Sequence, residues 1–488
     1  MKKLFLSAFL FIAFISVHAQ VDVDAQKFAN TITEADLTKH LSVIASDAMQ
    51  GRETGEVGQK MAAAYIAEQF KMLGLVGPVK GDDNNGFYQK VPLYVSEPGN
   101  IYVTTQKGTH KNFDGLVYFG STETPGEVNK EIVFAGTGSA QDFENLDVKD
   151  KAVLILSEST WGWRSAARTA KEKNASILLV VNSSSDADFE SLVERYSSSK
   201  GRLSLERESS DSNDGLFFLS PSLAEEMLGM KIEELKTGKK KIKPAKISYK
   251  IGINVREVPS ENVLGYLEGS DLKDELIVIT AHYDHLGKKG DDIYNGADDD
   301  GSGTVSILEI AQAFVDAKNA GKGPRRSILF MTVTGEEKGL LGSKYYSDHP
   351  IFPLENTVAN LNIDMIGRVD PKHEDNPNYV YLVGADRISK QLNDISEKTN
   401  DTYTKLTIDY TYNDENHPER IYYRSDHWNF AKHNIPVIFY FNGTHADYHQ
   451  PTDTIEKINF GLLRTRAQLV FYTAWTLVNM DHRLILND

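Results

Sequence analysis

The hydrophobic pattern changes twice along the chain, from helical spacing to short strands and then to alternating strands and helices. Between residues 32 and 77, apolar side chains recur every three or four positions, which is typical of amphipathic helices. From about residue 99 to 250 the apolar runs shorten to the length of buried strands. Strands are predicted at 131–135, 152–156 and 176–181, a helix at 165–172, and an exposed polar loop at 182–214.

The third part, from about residue 251, alternates most regularly. Buried strands are predicted at 275–281, 327–333, 358–363 and 435–441, and helices at 302–317 and 464–477. This alternation predicts an α/β fold with a mixed, mostly parallel sheet flanked by helices. Ligands of such sheets bind at the carboxyl ends of the strands, so candidate chemistry is expected there.

Residue types that bind metal ions follow all four of these strands. They are His282 and Asp284, the consecutive aspartates Asp298, Asp299 and Asp300, the pair Glu336 and Glu337, then Asp364 and His449. Adjacent carboxylates repel one another unless a cation neutralises them. Any one segment could be an acidic surface loop, a calcium loop or a structural histidine. Together, nitrogen and oxygen donors in one topology predict a zinc site.

Two details of these segments suggest a division of roles. Asp284 lies two positions after His282 on the same side of the strand, so its carboxylate is expected to accept a hydrogen bond from the second ring nitrogen. Two glutamates in succession can divide their work: one binds metal and the other holds a proton taken from metal-bound water.

Composition and the N-terminus narrow the class of protein further. A formal net charge of -16 argues against nucleic acid or an anionic membrane surface as partner. Lys2 and Lys3 precede an apolar run that ends near a cleavage pattern at Ala19, which predicts a signal peptide over residues 1–19. The chain contains no cysteine. A secreted or periplasmic protein without disulfides is therefore expected, with no membrane association beyond this targeting segment.

The order of the motifs resembles that of the zinc exopeptidases, a family that includes bacterial secreted aminopeptidases and glutamate carboxypeptidase. The motifs are His-x-Asp at 282–284, Gly-Ala-Asp-Asp-Asp-Gly-Ser-Gly at 296–303, Gly-Glu-Glu at 335–337, Asn-Ile-Asp-Met-Ile-Gly at 362–367 and Tyr-His-x-Pro-x-Asp-Thr at 448–454. Gly-Arg-Glu-Thr-Gly at 51–55 extends the resemblance to the N-terminal helices. The resemblance implies a peptidase domain formed by residues 20–98 and 251–488, interrupted by a β-rich protease-associated domain at 99–250.

The resemblance also implies a role for each residue. Asp299 would bridge two zinc ions across a cis peptide bond to Asp300. His282 and Asp364 would complete the site of one ion, and Glu337 and His449 the site of the other. Glu336 would be the general base, Tyr448 would hydrogen-bond the oxyanion, and Asp284 and Asp300 would support the ligands from behind. The nucleophile would be a metal-bound hydroxide that attacks the peptide carbonyl.

An aminopeptidase acting on peptides or proteins is the favoured function, and several alternatives remain. A dipeptidase or carboxypeptidase would have the same fold, and a carboxypeptidase would need an Arg or Lys for the substrate carboxylate. Arg420 and Arg424 are the only basic candidates near the Ser425-Asp426 loop, and nothing in the sequence directs them to the site. A glutaminyl cyclase, which uses one zinc, and a non-catalytic peptide-binding protein fit less well. Side-chain preference and oligomeric state stay open.

Overall fold

A computed structural model describes residues 21–81, 86–120, 122–157, 162–197, 201–207, 215–237 and 243–487. The predicted signal peptide lies outside these residues. The chain forms two compact units, the first comprising Met1–Val91 with Ser260–Asp488 and the second Pro92–Pro259. The insertion predicted at 99–250 lies within the second unit.

The described residues form helices and strands that are numbered here in chain order. The helices are α1 (Val23–Ala29), α2 (Glu34–Ile44), α3 (Val57–Met72), α4 (Trp163–Glu172), α5 (Asp186–Ser197), α6 (Pro221–Leu228), α7 (Ile232–Thr237), α8 (Gly303–Asn319), α9 (Leu341–Asp348), α10 (Lys390–Thr399), α11 (Trp428–Ala431) and α12 (Phe460–Asn479). The strands are β1 (Tyr88–Pro98), β2 (Tyr102–Thr104), β3 (Thr109–Lys111), β4 (Leu116–Phe119), β5 (Val128–Phe134), β6 (Ala152–Leu156), β7 (Ile177–Val181), β8 (Arg202–Ser204), β9 (Leu216–Leu219), β10 (Ala245–Lys250), β11 (Ile253–Leu267), β12 (Leu272–His282), β13 (Gly287–Lys289), β14 (Asp292–Tyr294), β15 (Arg326–Val333), β16 (Thr357–Ile363), β17 (Tyr379–Val383), β18 (Thr407–Asp409) and β19 (Val437–Phe441).

The first unit is built on a mixed sheet with the strand order β18-β17-β19-β16-β12-β15-β11-β1. Its four central strands, β19, β16, β12 and β15, are mutually parallel, so their carboxyl ends lie at one edge. Strands β11 and β17 run antiparallel to their neighbours in this group. The mixed, mostly parallel α/β sheet predicted from the sequence is confirmed.

The central strands of this sheet are buried on both faces. Because successive side chains of a strand point to opposite sides, each of these strands contributes to two cores. On β12, Ile277 and Ile279 pack into one core with helices α1, α2, α3, α8 and α12. Leu276 and Val278 pack into the opposite core, which includes Tyr346 of α9 and Phe430 of α11. A strand covered on both faces has no polar alternation, which explains the continuous apolar runs of the sequence.

The second unit contains a sheet of eight strands in the order β3-β2-β10-β5-β6-β7-β9-β4. Its central strands β5, β6, β7 and β9 are parallel. The prediction of an exposed loop at 182–214 is wrong, because this segment contains helix α5 and strand β8. Phe189 is the one buried residue of α5, so the helix shows little apolar periodicity in the sequence.

Among the described residues, no helix combines the length and apolar character needed to cross a membrane.

Candidate metal centre

His282 is the last residue of β12, and its ring is buried at the carboxyl edge of the sheet. Its Nε2 atom lies 3.2 Å from Asp299 Oδ1 and 3.8 Å from Asp364 Oδ1. Its Nδ1 atom is 3.0 Å from the backbone carbonyl oxygen of Asp284 but 3.8 Å from the carboxylate. The expected hydrogen bond from His282 to the Asp284 carboxylate is therefore wrong, and the backbone carbonyl oxygen takes its place.

The three aspartates occupy a tight turn between β14 and α8, and the Asp299–Asp300 peptide bond is cis, as the resemblance implied. The Asp299 carboxylate lies between two imidazoles, with Oδ1 facing His282 and Oδ2 lying 3.1 Å from His449 Nε2. Asp300 points away and accepts hydrogen bonds from the backbone amides of His282, Gly303 and Met365. Asp300 thus connects three segments of the site from behind.

Glu337 and His449 form the second side of the centre. Glu337 Oε2 lies 3.2 Å from His449 Nε2, and Glu337 Oε1 lies 2.8 Å from Nδ1 of His285. His285 and this carboxylate oxygen do not meet the geometry of a hydrogen bond, although both are buried. His285, Asp299 and Glu337 each offer a donor atom within 4.8 Å of the others, so they could hold one ion. His285 was given no role from the sequence.

A second group of three residues, His282, Glu336 and Asp364, forms the first side of the centre. Each offers a donor atom within 4.8 Å of the others, so this group too could hold one ion. Ser425 positions Asp364 by donating a hydrogen bond of 2.6 Å to its Oδ2 atom. Asp284 accepts hydrogen bonds from the Glu336 amide and from the Thr54 hydroxyl, and thereby holds the start of the Gly-Glu-Glu turn. The Asp284 carboxylate thus contacts the backbone of Glu336 rather than the ring of His282.

Burial of this much negative charge requires compensation. Burial opposes protonation of His282, but the carboxylates of Glu336, Asp299 and Asp364 outweigh it and raise the pKa of its ring. For Glu336, desolvation itself raises the pKa well above its usual range, and the neighbouring carboxylates of Glu337 and Asp364 add to the shift. Within the described part of the chain, the carboxylates of the centre have only histidines as ion-pair partners. This donor set therefore fits bound cations.

A small pocket of about 40 Å³ opens onto the first side of the centre. Glu336, Asp364 and Tyr448 line it, and its apolar wall comprises Met365, Ile421, Phe439 and Phe441. The Tyr448 ring stacks on the His449 ring with centroids 3.9 Å apart. Burial raises the pKa of Tyr448 far above its ordinary value, so the phenol keeps its proton and can donate a hydrogen bond.

The Ser425-Asp426-His427 segment contains no catalytic triad. Asp426 is fully buried, accepts a hydrogen bond from Ser343 and does not line the pocket. Burial lowers the pKa of His427 to about 3, and its ring stacks on Phe439, so it stays neutral. Arg424, which the sequence did not direct to the site, lines the pocket.

Arg52 supports the centre from the N-terminal segment. Its buried guanidinium donates to the backbone carbonyl oxygens of Ile44, Tyr283, Asn295 and Gly296. These bonds join the end of β12 to the turn that carries the aspartates. Through Arg52, the Gly-Arg-Glu-Thr-Gly motif thereby fixes the backbone around His282 and Asp299.

The fold and the donor set define an α/β protein with a histidine–carboxylate centre at the carboxyl edge of its parallel strands. Residues 262–474 match the family model described as Peptidase family M28, so this part of the chain is similar to that family. The resemblance inferred from the motifs is confirmed.

Similar proteins support this assignment. A "Probable leucine aminopeptidase" of Trichophyton verrucosum is 31% identical over 211 residues, which cover 42% of this chain and 54% of that protein. The chain therefore spans about half the length of this curated relative. Two solved structures share the fold: an aminopeptidase from Aneurinibacillus sp. strain AM-1 (TM-score 0.58, 19% identity, 95% of this chain and 98% of that chain) and a zinc aminopeptidase from Bacillus subtilis (TM-score 0.52, 20% identity, 93% and 97%).

Proposed function

We propose that this protein is a secreted metallo-aminopeptidase that uses two zinc ions to hydrolyse the first peptide bond of peptides with a free N-terminus. The position of Asp299 supports this function most strongly, because its two carboxylate oxygens face His282 and His449 on opposite sides. Asp364 extends the His282 side and Glu337 extends the His449 side. A bridging carboxylate with one histidine and one further carboxylate on each side suits a pair of zinc ions.

Two zinc ions held by these residues would lower the pKa of a bound water molecule and polarise the scissile carbonyl. The chain's own residues supply the rest of the chemistry. Glu336 lines the pocket, so it is placed to accept the proton from that water and to pass it to the leaving amine. Tyr448 remains protonated and lines the same pocket, so it is suited to donate a hydrogen bond to the oxyanion.

The pocket is also suited to an N-terminal residue. Glu336 and Asp364 supply negative charge for a free α-ammonium group, and Met365, Ile421 and Phe439 form an apolar wall beside it. Asp426 takes no direct part, because its side chain is buried behind Ser343. We therefore assign recognition of the ammonium group to the two pocket carboxylates.

A pair of matched peptides tests this function. The zinc-loaded protein should cleave the first bond of a longer peptide with a free N-terminus and should leave its N-acetylated form intact. Amidation of the distant C-terminus should change the rate little. Cleavage of the acetylated peptide, together with resistance of the amidated one, would show that the carboxyl end is recognised and that the aminopeptidase assignment is wrong.

A further inference from the structure

A second and larger cavity, of about 590 Å³, lies next to the metal pocket. Glu336, Arg424 and Tyr448 line both cavities, so the two meet at the proposed catalytic base. The smaller pocket is walled by apolar side chains, which suits the N-terminal residue of a substrate. The part of the substrate beyond the scissile bond then has the larger cavity as its path.

The larger cavity is lined by three cations, Lys344, Arg424 and Lys432. Lys344 is paired with Asp348 at 2.7 Å. Among the described residues, neither Arg424 nor Lys432 has a carboxylate within 4 Å, and the Lys432 ammonium donates only to the amide oxygen of Asn429. Asp348 is near enough to Lys432 to raise its pKa somewhat, and Glu336 and Glu337 line the metal-facing part of the same cavity, but neither Arg424 nor Lys432 forms an ion pair with them.

The surroundings of these cations favour an anionic ligand. Desolvation lowers the pKa of Lys432, so a bound anion would stabilise its charged form. Arg424 presents a planar guanidinium, which binds a carboxylate through two parallel hydrogen bonds. Trp428 and Tyr423 line the same cavity and provide flat apolar surface for the backbone between the reacting carbonyl and the anion.

We propose that this cavity, which Arg424 and Lys432 line, binds a carboxylate carried by the leaving part of the substrate. The proposal rests on the proposed function and adds a substrate class to it: peptides with a negative charge just after the scissile bond. That charge can be the α-carboxylate of a dipeptide or the side chain of an acidic residue in second position. The two carboxylates would bind in the same way. They differ in that the α-carboxylate ends the peptide at its second residue, whereas an acidic side chain lets the peptide continue.

Four substrates separate the two sources. They are a dipeptide with a free carboxylate, the same dipeptide as its amide, and two longer amidated peptides whose second residue is glutamate or glutamine. The zinc-loaded protein should hydrolyse at least one carboxylate form about 10-fold more efficiently in kcat/KM than its neutral partner, the gain expected from a charge-assisted hydrogen bond. Preference within the dipeptide pair identifies the α-carboxylate, and preference within the longer pair identifies the side chain.

In the preferred pair, the ratio compares kcat/KM for the carboxylate substrate with kcat/KM for its neutral partner. Arg424→Gln should bring this ratio close to one, whatever its effect on the absolute rates. Arg420→Gln is the matched control, because its guanidinium lies over the Tyr423 ring, 4.7 Å from the centroid, and lines neither cavity. The control should keep the ratio of the unmodified protein. Lys432→Gln should lower the ratio as well, since it removes the second cation.

Equal kcat/KM values within both pairs for the unmodified protein would overturn the carboxylate site and leave the aminopeptidase assignment intact. An equal loss of preference in Arg420→Gln and Arg424→Gln would also overturn it, because the effect would then belong to the whole loop. Failure to hydrolyse any of the four would contradict the proposed function instead. Calorimetric binding of the same four ligands would in that case still decide the carboxylate site.

Discussion

Glu336 is the residue whose replacement best separates metal binding from turnover. In Glu336→Gln the amide keeps the shape of the side chain but cannot accept a proton. We expect zinc content to stay close to that of the unmodified protein while kcat falls about 10²–10⁴-fold, the usual contribution of general acid–base catalysis. Glu268→Gln, which alters an exposed glutamate, is the control and should keep full activity. Near-normal turnover in Glu336→Gln would show that another group is the base.

His285 lies at the second side of the centre, with its Nδ1 atom 2.8 Å from Glu337 Oε1. Whether it binds the ion or orients Glu337, its loss should weaken binding on that side. We expect His285→Asn to lower the affinity for one zinc about 10–100-fold, the usual effect of a residue that supports a ligand. Competition with a chromogenic chelator measures this affinity. His349→Asn is the control, because His349 is exposed and stacks on Tyr345.

Among the site residues, those whose chemistry is unusual for their position could be predicted from the sequence. Carboxylates that follow apolar strands, such as Glu336, Glu337 and Asp364, are conspicuous because an unpaired buried charge is costly. Ser425 and His285 carry no such signal, since a serine or a histidine is common in any loop. Their roles follow from tertiary contacts with Asp364 and Glu337.

Arg52 connects the turn that carries the aspartates to the end of strand β12, so its loss should affect both elements. Its guanidinium satisfies four backbone carbonyl oxygens in a buried environment. We expect Arg52→Met to lower the free energy of unfolding by at least about 3 kcal/mol, because several buried acceptors lose their donors. Denaturant unfolding of the zinc-loaded protein measures this loss. Arg464→Met, which removes a surface ion pair with Glu34, should cost about 1 kcal/mol or less.

Elements buried on both faces were predictable, and elements on the surface were less so. The runs predicted as strands at 275–281, 327–333 and 358–363 correspond to β12, β15 and β16 within a few residues. Such runs are unmistakable because neither face meets solvent. Helix α5 was missed, because a helix with one buried residue has no apolar stripe to detect.

The whole protein folds around several buried carboxyls that are difficult to ionise. Burial raises the pKa of Asp426 to about 7 and, together with Asp298, the pKa of Asp453 to about 6. Both groups therefore keep their protons to higher pH in the folded chain than in the unfolded chain, whose aspartates titrate near pH 4. Between about pH 4 and pH 7 the folded state binds more protons, so its stability falls as pH rises.

We therefore expect the metal-free protein to be more stable at pH 5 than at pH 7. The difference should be on the order of 1 kcal/mol per pH unit for each such group that titrates. Two groups have the opposite effect on stability. Burial opposes ionisation of Glu337, but its histidine partners lower its pKa to about 2, so its effect is confined to lower pH. Burial lowers the pKa of His427 to about 3, so this histidine offsets part of the effect of the two carboxyls up to about pH 6.5. Urea unfolding in the presence of a chelator at the two pH values measures the difference. Greater stability of the metal-free protein at pH 7 would contradict this account of the buried carboxyls.

Elemental analysis combined with an activity assay tests whether a pair of zinc ions shares Asp299. The fully active protein should contain about two zinc ions per chain, because two histidines and three carboxylates would overcrowd a single ion. Asp299→Ala should lose both ions, whereas His449→Ala should mainly weaken the binding of one. Full activity with one zinc ion per chain, or an Asp299→Ala variant that retains both ions, would contradict the two-metal site.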